Sequence, residues 1–328
     1  MRSRSVRVVA VAAACVALAS CGPAQPTGAP TPSSSDAAAV APVVDEDFPD
    51  PDVVAVDDGW LAFGTGTSGL NIRVASSPDL STWKVQSRDA LPTLPAWASP
   101  GRTWAPDVSP RPDGSWVMYV TAEHTDSGRQ CIGVATSPTT DGTFVPAGAE
   151  PLVCPVEEGG AIDPSTFTDA DGARYLLWKT DGNCCSLDTW IEIARLSDDG
   201  LSLADEPTRL LRQDLAWEGE LVEAPTLVLH DGTYVLLYSA NAYGGDDYAI
   251  GAARSASLLG PYTKKSEPVL TTDTWDGAVR GPGGQDVVSS ADGDTLVFHG
   301  WDELYIYRAL HLAPLAWTDG WPAPTRPS

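Results

Sequence analysis

Period-two alternation of apolar and polar residues dominates the chain, in short runs bounded by Asp-Gly pairs and prolines. No window of twelve or more residues carries the stripe of an amphipathic helix, so the pattern predicts an all-β protein. The runs also repeat. Asp58-Gly59, Asp113-Gly114, Asp171-Gly172, Asp231-Gly232 and Asp292-Gly293 each follow a short strand and precede an apolar one, with glycine spacings of 55, 58, 60 and 61. The apolar strands are Trp60–Phe63, Trp116–Val120, Tyr175–Trp178, Tyr234–Tyr238 and Leu296–His299. A further strand is expected in each unit, at Asn71–Ser76, Cys131–Thr136, Ile191–Leu196, Ala249–Arg254 and Leu304–Arg308. A fixed period of this size with about four strands is that of a propeller blade, and five units fill residues 46–328 as one five-bladed β-propeller domain.

The repeat points to the chemistry. The first strand of a blade lines the central channel, and here it begins with an acid: Asp50, Asp107, Asp163, Glu223 or Asp286. Asp50, Asp163 and Glu223 stand nine residues ahead of their glycine, Asp107 and Asp286 seven. An aspartate before a strand can simply cap a turn. That does not account for the proline beside or near four of them, in Asp50-Pro51, Pro106-Asp107, Asp163-Pro164 and Glu223-Ala224-Pro225. Paired carboxyl groups across a pocket can split a glycosidic bond, one as acid and one as base. A ring of acids can instead hold a cation such as Ca²⁺, or be purely structural.

Charge and composition narrow the setting. The formal net charge is −24, which argues against a nucleic-acid partner. Twelve tryptophans suit a sugar site, though most tryptophans are core. Arg2, Arg4 and Arg7 precede an apolar run from Val8 to Leu18 and then Leu18-Ala19-Ser20-Cys21, the layout of a secretory signal too short to span a membrane. The last four residues resemble a bacterial lipobox. The expectation is a signal peptide over 1–20, lipidated Cys21 with a Pro/Ala/Ser-rich tether over 21–45, and a monomer anchored outside the cell membrane; ordinary cleavage a few residues later is the alternative. In an oxidising compartment Cys131, Cys154, Cys184 and Cys185 would form disulfides, with three connectivities open. No histidine stands near them in sequence, which argues against a metal cluster. Gly64-Thr65-Gly66-Thr67-Ser68-Gly69 has dinucleotide-loop spacing, but a strand rather than a helix follows.

Phe48-Pro49-Asp50-Pro51-Asp52, Trp104-Ala105-Pro106-Asp107-Val108 and Val222-Glu223-Ala224-Pro225 resemble the three catalytic signatures of glycoside hydrolase family 43. Asp79–Trp83, Ala161-Ile162-Asp163-Pro164, Gly281-Pro282-Gly283, Arg308 and Pro314–Trp317 continue the likeness to residue 322 in the family's order. The resemblance implies a five-bladed, inverting glycosidase with Asp50 as general base, Glu223 as general acid and Asp107 raising the acid's pKa. Trp104, Asp163, Gln285, His299 and Arg308 are then the expected substrate contacts. Many members carry a histidine after Gly-Pro-Gly that serves a central Ca²⁺. This chain has Gly284-Gln285-Asp286 there, which leaves the metal open, with Asp286 and His299 as candidate ligands and no cofactor required. The expected substrate is an α-L-arabinofuranosyl linkage of plant cell-wall polysaccharide or its oligosaccharides. A β-1,4-xyloside is second, and a catalytically silent sugar- or cation-binding propeller is the alternative of another class.

Overall fold

The structure, a computed structural model, describes residues 40–67 and 69–327. The expected signal peptide, Cys21 and most of the tether lie outside these residues. Five antiparallel four-stranded sheets follow one another along the chain: blade I over 52–85, II over 98–146, III over 161–212, IV over 222–264 and V over 280–324. The first strands of the blades (Asp52–Val56, Ala98–Pro110, Ala161–Thr168, Val222–His230, Arg280–Ser290) touch their neighbours in cyclic order, so the ring closes around them. In blade V the third strand is Arg308–Thr318, and the strand expected at Leu304–Arg308 is a turn held by Asp302. The turn is polar at Asp302 and Glu303 and leaves Leu304 and Ile306 exposed. In blade I, Gly64 and Thr65 end the strand Gly59–Thr65, and the strand Ile72–Ser77 follows.

The core is a ring of five interfaces. In blade II the second strand sends Met118 and Val120 toward blade I and Val117 and Tyr119 toward blade III. In blade IV, Leu236 and Tyr238 meet blade III while Val235 and Leu237 meet blade V. Period-two alternation thus assigns each residue to one of two interfaces, which is why these strands read as continuous apolar runs. The fifth interface joins Val53 and Ala62 to Val297 and Leu310 and includes fully buried Phe48. Residues 43–48 lie along blade V there, with Val43 N–H donating to Leu310 C=O (2.8 Å) and Phe48 N–H to Arg308 C=O (2.8 Å). Burying a phenyl ring stabilises by about 1.5–3 kcal/mol, and here it pins the chain two residues before Asp50. Disulfides join Cys131 to Cys154 and Cys184 to Cys185.

Candidate active site

Every inner strand carries a bulge at the same height. Ile162 pairs with Lys179 and Ser165 with Leu177, so Asp163 and Pro164 together oppose a single residue. Blades II, IV and V repeat this at Trp104-Ala105, Ala224-Pro225 and Gly284-Gln285. In blade I, Thr65 N–H bonds Pro49 C=O while Asp52 faces Phe63, which leaves Asp50-Pro51 opposite Gly64. The extra residue takes left-handed φ at Asp50 (52°), Asp163 (54°), Ala224 (49°) and Gly284 (55°). Proline fits as the second bulge residue in three blades because an N–H is not required of it there. This accounts for three of the four prolines; Pro106 stands just past its bulge, paired with Val120.

The bulge sorts the acids into two sets. Those nine residues ahead of the turn glycine (Asp50, Asp163, Glu223) border one pocket of about 500 Å³, together with Trp104, Lys179, Asp181, Tyr243, Tyr248 and Arg308. Those seven ahead (Asp107, Asp286 and also Asp52) line a cavity of about 40 Å³ in the central channel. Asp50 and Asp163 border both. Asp107, expected beside the acid, is therefore not in the pocket. It lies three residues past the start of its bulge, its Oδ2 accepts from Thr166 N–H of blade III (2.8 Å), and burial raises its pKa to about 7. The neighbour of Glu223 is Asp163, which was expected only as a substrate contact.

Asp50 and Glu223 are each held by a cation. Asp50 Oδ1 accepts from Arg308 Nη1 (3.1 Å) and Oδ2 from Thr65 Oγ1 (2.6 Å). Glu223 Oε2 accepts from Lys179 Nζ (2.8 Å) and Oε1 from Tyr248 Oη (2.8 Å). Burial alone would lower the Lys179 pKa; Glu223, Asp181 and Asp163 more than offset it and hold it raised. Asp163 Oδ2 accepts from Ala224 N–H (3.0 Å), next to Glu223. Burial, then repulsion from Glu223, pushes Asp163 well above the usual carboxylate range, while Lys179 opposes the shift. The nearby Glu223 carboxyl thus makes Asp163 hold its proton more readily than a separate acid would.

His299 stands behind Asp50 rather than in the pocket. It is fully buried, and its Nδ1 accepts from Asp50 N–H (3.0 Å). Burial and then Arg308 push its pKa well below the ordinary value, so its 3.3 Å approach to Asp50 Oδ1 is not an ion pair. A Cβ on Gly284 would lie 2.5 Å from this ring, so His299 fills the space beside the glycine where a side chain would stand. Gln285 is buried too, its amide bridging Ser239 Oγ and Ala224 C=O between blades IV and V. Trp104 lines the pocket, 37% exposed. Lys179, Asp181, Thr65 and Tyr248 were missed from sequence. Lys179 had a signal, as one of only four lysines, placed directly after the apolar run Tyr175–Trp178 of the strand Arg174–Thr180.

The channel is suited to a hard cation. Asp52, Asp107 and Asp286 are all pushed up by burial, and for Asp52 also by the other two. Asp107 Oδ1 is buried without a hydrogen-bond partner, and oxygen donors of this kind fit Ca²⁺. His124 lies close to Cys131 and Cys154, contrary to what sequence separation suggested. Those sulfurs are joined to each other, so they are not thiolate ligands.

Comparison with known proteins agrees with this architecture. The chain is 29% identical over 294 residues to extracellular endo-α-(1→5)-L-arabinanase 1 of Bacillus subtilis, covering 84% of this chain and 86% of that one. It is 27% identical over 328 residues to an extracellular exo-α-(1→5)-L-arabinofuranosidase of Streptomyces avermitilis, covering 91% of this chain and 63% of the relative. The crystal structure of an endo-1,4-β-xylanase from Bacteroides thetaiotaomicron superposes with a TM-score of 0.74 at 29% identity, covering 87% and 96% of the two chains. The sequence model of glycosyl hydrolases family 43 matches residues 40–322. With five blades and a pocket of carboxylates at their bulged strands, the chain belongs to glycoside hydrolase family 43 and is a glycosidase.

Proposed function

We propose that the protein is an exported, lipid-anchored, inverting glycosidase that cleaves α-L-arabinofuranosyl linkages in plant cell-wall polysaccharides or their oligosaccharides. The observation that carries the reading is that Asp50 and Glu223 border one pocket, each clamped by a cation and a hydroxyl. Asp50, held by Arg308, takes the proton of a water as that water attacks the anomeric carbon. Glu223 gives its proton to the leaving oxygen, and Asp163 keeps a proton available to the pair. Water attack opposite the leaving group inverts the anomeric centre. Trp104 and Tyr243 offer aromatic surface to the sugar. The extracellular arabinan-degrading relatives support the substrate and export, and the Arg-rich start with Leu18–Cys21 supports the lipid anchor.

The product profile on arabinan and on xylan, with the anomer followed by NMR, tests the substrate and the stereochemistry. Arabinose or arabino-oligosaccharides of inverted configuration are expected. Xylose units instead would move the assignment to the activity named for the xylanase relative. Asp50→Ala and Glu223→Ala should each lose at least about 10²-fold in kcat, with unchanged circular dichroism. A full rate in either would remove that residue from the chemistry.

The reading includes Ca²⁺ held by Asp52, Asp107 and Asp286, where it would neutralise the channel carboxylates. Chelation should lower the unfolding midpoint and Ca²⁺ restore it; an unchanged midpoint refutes the cation.

A further inference from the structure

The pocket wall beside Glu223 ends in the turn Gly182–Cys185. That turn follows directly on Asp181, whose carboxylate lies 3.4 Å from Lys179 Nζ, and Lys179 in turn holds Glu223. Asn183 and Cys184 line the pocket, and Cys184 is exposed to it. Cys184 is bonded to its sequence neighbour Cys185. Adjacent cysteines joined through sulfur close a small ring, so both side chains and the peptide between them lose their rotations. The turn is braced elsewhere as well. Cys184 N–H donates to Asp181 C=O (3.2 Å), Leu187 N–H to Gly182 C=O (2.9 Å), and Arg129 Nη1 approaches Cys184 Sγ at 3.2 Å. A Cβ on Gly182 would lie 2.2 Å from Asp188 C=O, which leaves no room for another residue.

A disulfide has no proton to donate and presents polarizable, apolar surface. Two free thiols would present weak S–H donors on freely turning side chains. The polar side of this pocket already holds the side chains of Asp50, Arg308, Lys179 and Asp181. A bound sugar needs a complementary surface for its C–H face, and Cys184 of the bridged pair supplies one in the pocket wall.

Resting on the reading of Glu223 as the acid, we propose that the Cys184–Cys185 disulfide is a substrate-facing wall of the pocket that sets affinity for the glycan. Chemistry at Asp50 and Glu223 does not pass through it. Its sulfurs are also open to a soluble reductant: a phosphine and water convert the disulfide to two thiols and are themselves converted to the phosphine oxide.

The test compares the full-length protein and its Cys184→Ser/Cys185→Ser double variant, each before and after treatment with tris(2-carboxyethyl)phosphine, on a linear arabino-oligosaccharide. Reduction of the wild type should raise KM about fivefold, the size of one lost apolar contact, with kcat within about twofold. The double variant should match the reduced enzyme and ignore the phosphine. An unchanged KM on reduction overturns the proposal. So does an equal response in the variant, which would trace to Cys131–Cys154, and so does a fall in kcat alone, which would make the turn a support for the acid. Should the variant not fold, the reduced native chain still reads the effect. If no arm hydrolyses the sugar, the functional reading fails by itself. Calorimetric titration of the same oligosaccharide into the oxidised and reduced protein then decides the wall.

Discussion

Lys179 Nζ lies 2.8 Å from Glu223 and 3.4 Å from Asp181, and the side chain is 1% exposed. A buried cation between two carboxylates is worth little against an apolar replacement of the whole cluster, but removing it alone leaves both acids unpaired. Lys179→Met should therefore cost about 3–5 kcal/mol in urea unfolding at pH 7. It should also move a rate profile. Lys179 opposes the upward shift of Asp163, so without it Asp163 holds its proton to higher pH. The alkaline limb of kcat/KM on an aryl glycoside is expected to move upward in pH; a limb that stays put while stability falls would give Lys179 a structural role only. The buried strand around it, Tyr175-Leu176-Leu177-Trp178, made Lys179 visible as an anomaly in sequence. Its partner was not visible, because Glu223 comes forty-four residues later, from another blade.

At the scale of the strand, one extra residue per inner strand selects which acids border the pocket and which the channel. Asp50 and Asp163 sit on the bulge, Glu223 directly before it, and Asp52, Asp107 and Asp286 beyond it. Side chains alternate along a strand, so an inserted residue re-aims everything on one side of it. Counting back from the turn glycines already separated offsets of nine from offsets of seven, and this separation matches pocket and channel. Its meaning was illegible, because a bulge is a property of the pairing between two strands. Asp107 was misplaced for that reason. Gly284 tests the same geometry. A Cβ there would lie 2.5 Å from His299 and 3.0 Å from Asp50 Oδ1. Gly284→Ala should reduce kcat/KM at least about 10-fold, as displacement of a positioned base does, and lower the unfolding midpoint. Gly244→Ala, where a Cβ meets nothing within 4 Å, should do neither. Equal behaviour of the two would contradict the packing of His299 behind Asp50.

Over the whole molecule, stability resides in five like interfaces and in the segment 43–48 that lies along blade V. Next to that segment, His311 is stacked on Phe298 at 5.6 Å, its Nδ1 buried without a partner. Burial pushes its pKa down to about 4, against about 6.5 when unfolded. A depressed folded value means stability present above pH 6.5 and lost as pH falls toward 4, about 3 kcal/mol in full. His311→Leu should lose correspondingly less between pH 7 and 4 in urea titrations. Parallel losses would assign the acid sensitivity to other groups. The architecture was legible in the chain because it is local and repeated: short apolar strands, Asp-Gly turns and a period of about 57 residues recur five times, and each blade is built from contiguous sequence. The family signatures around Asp50 and Glu223 were legible for the same reason, each spanning only a few contiguous residues. Tertiary structure alone decided what crosses between blades: Asp163 beside Glu223, Lys179 on Glu223, Arg308 and His299 on Asp50, and Asp107 turned into the channel. Those contacts join residues far apart in sequence through bulged pairings and ring closure, and no period along a single chain encodes them.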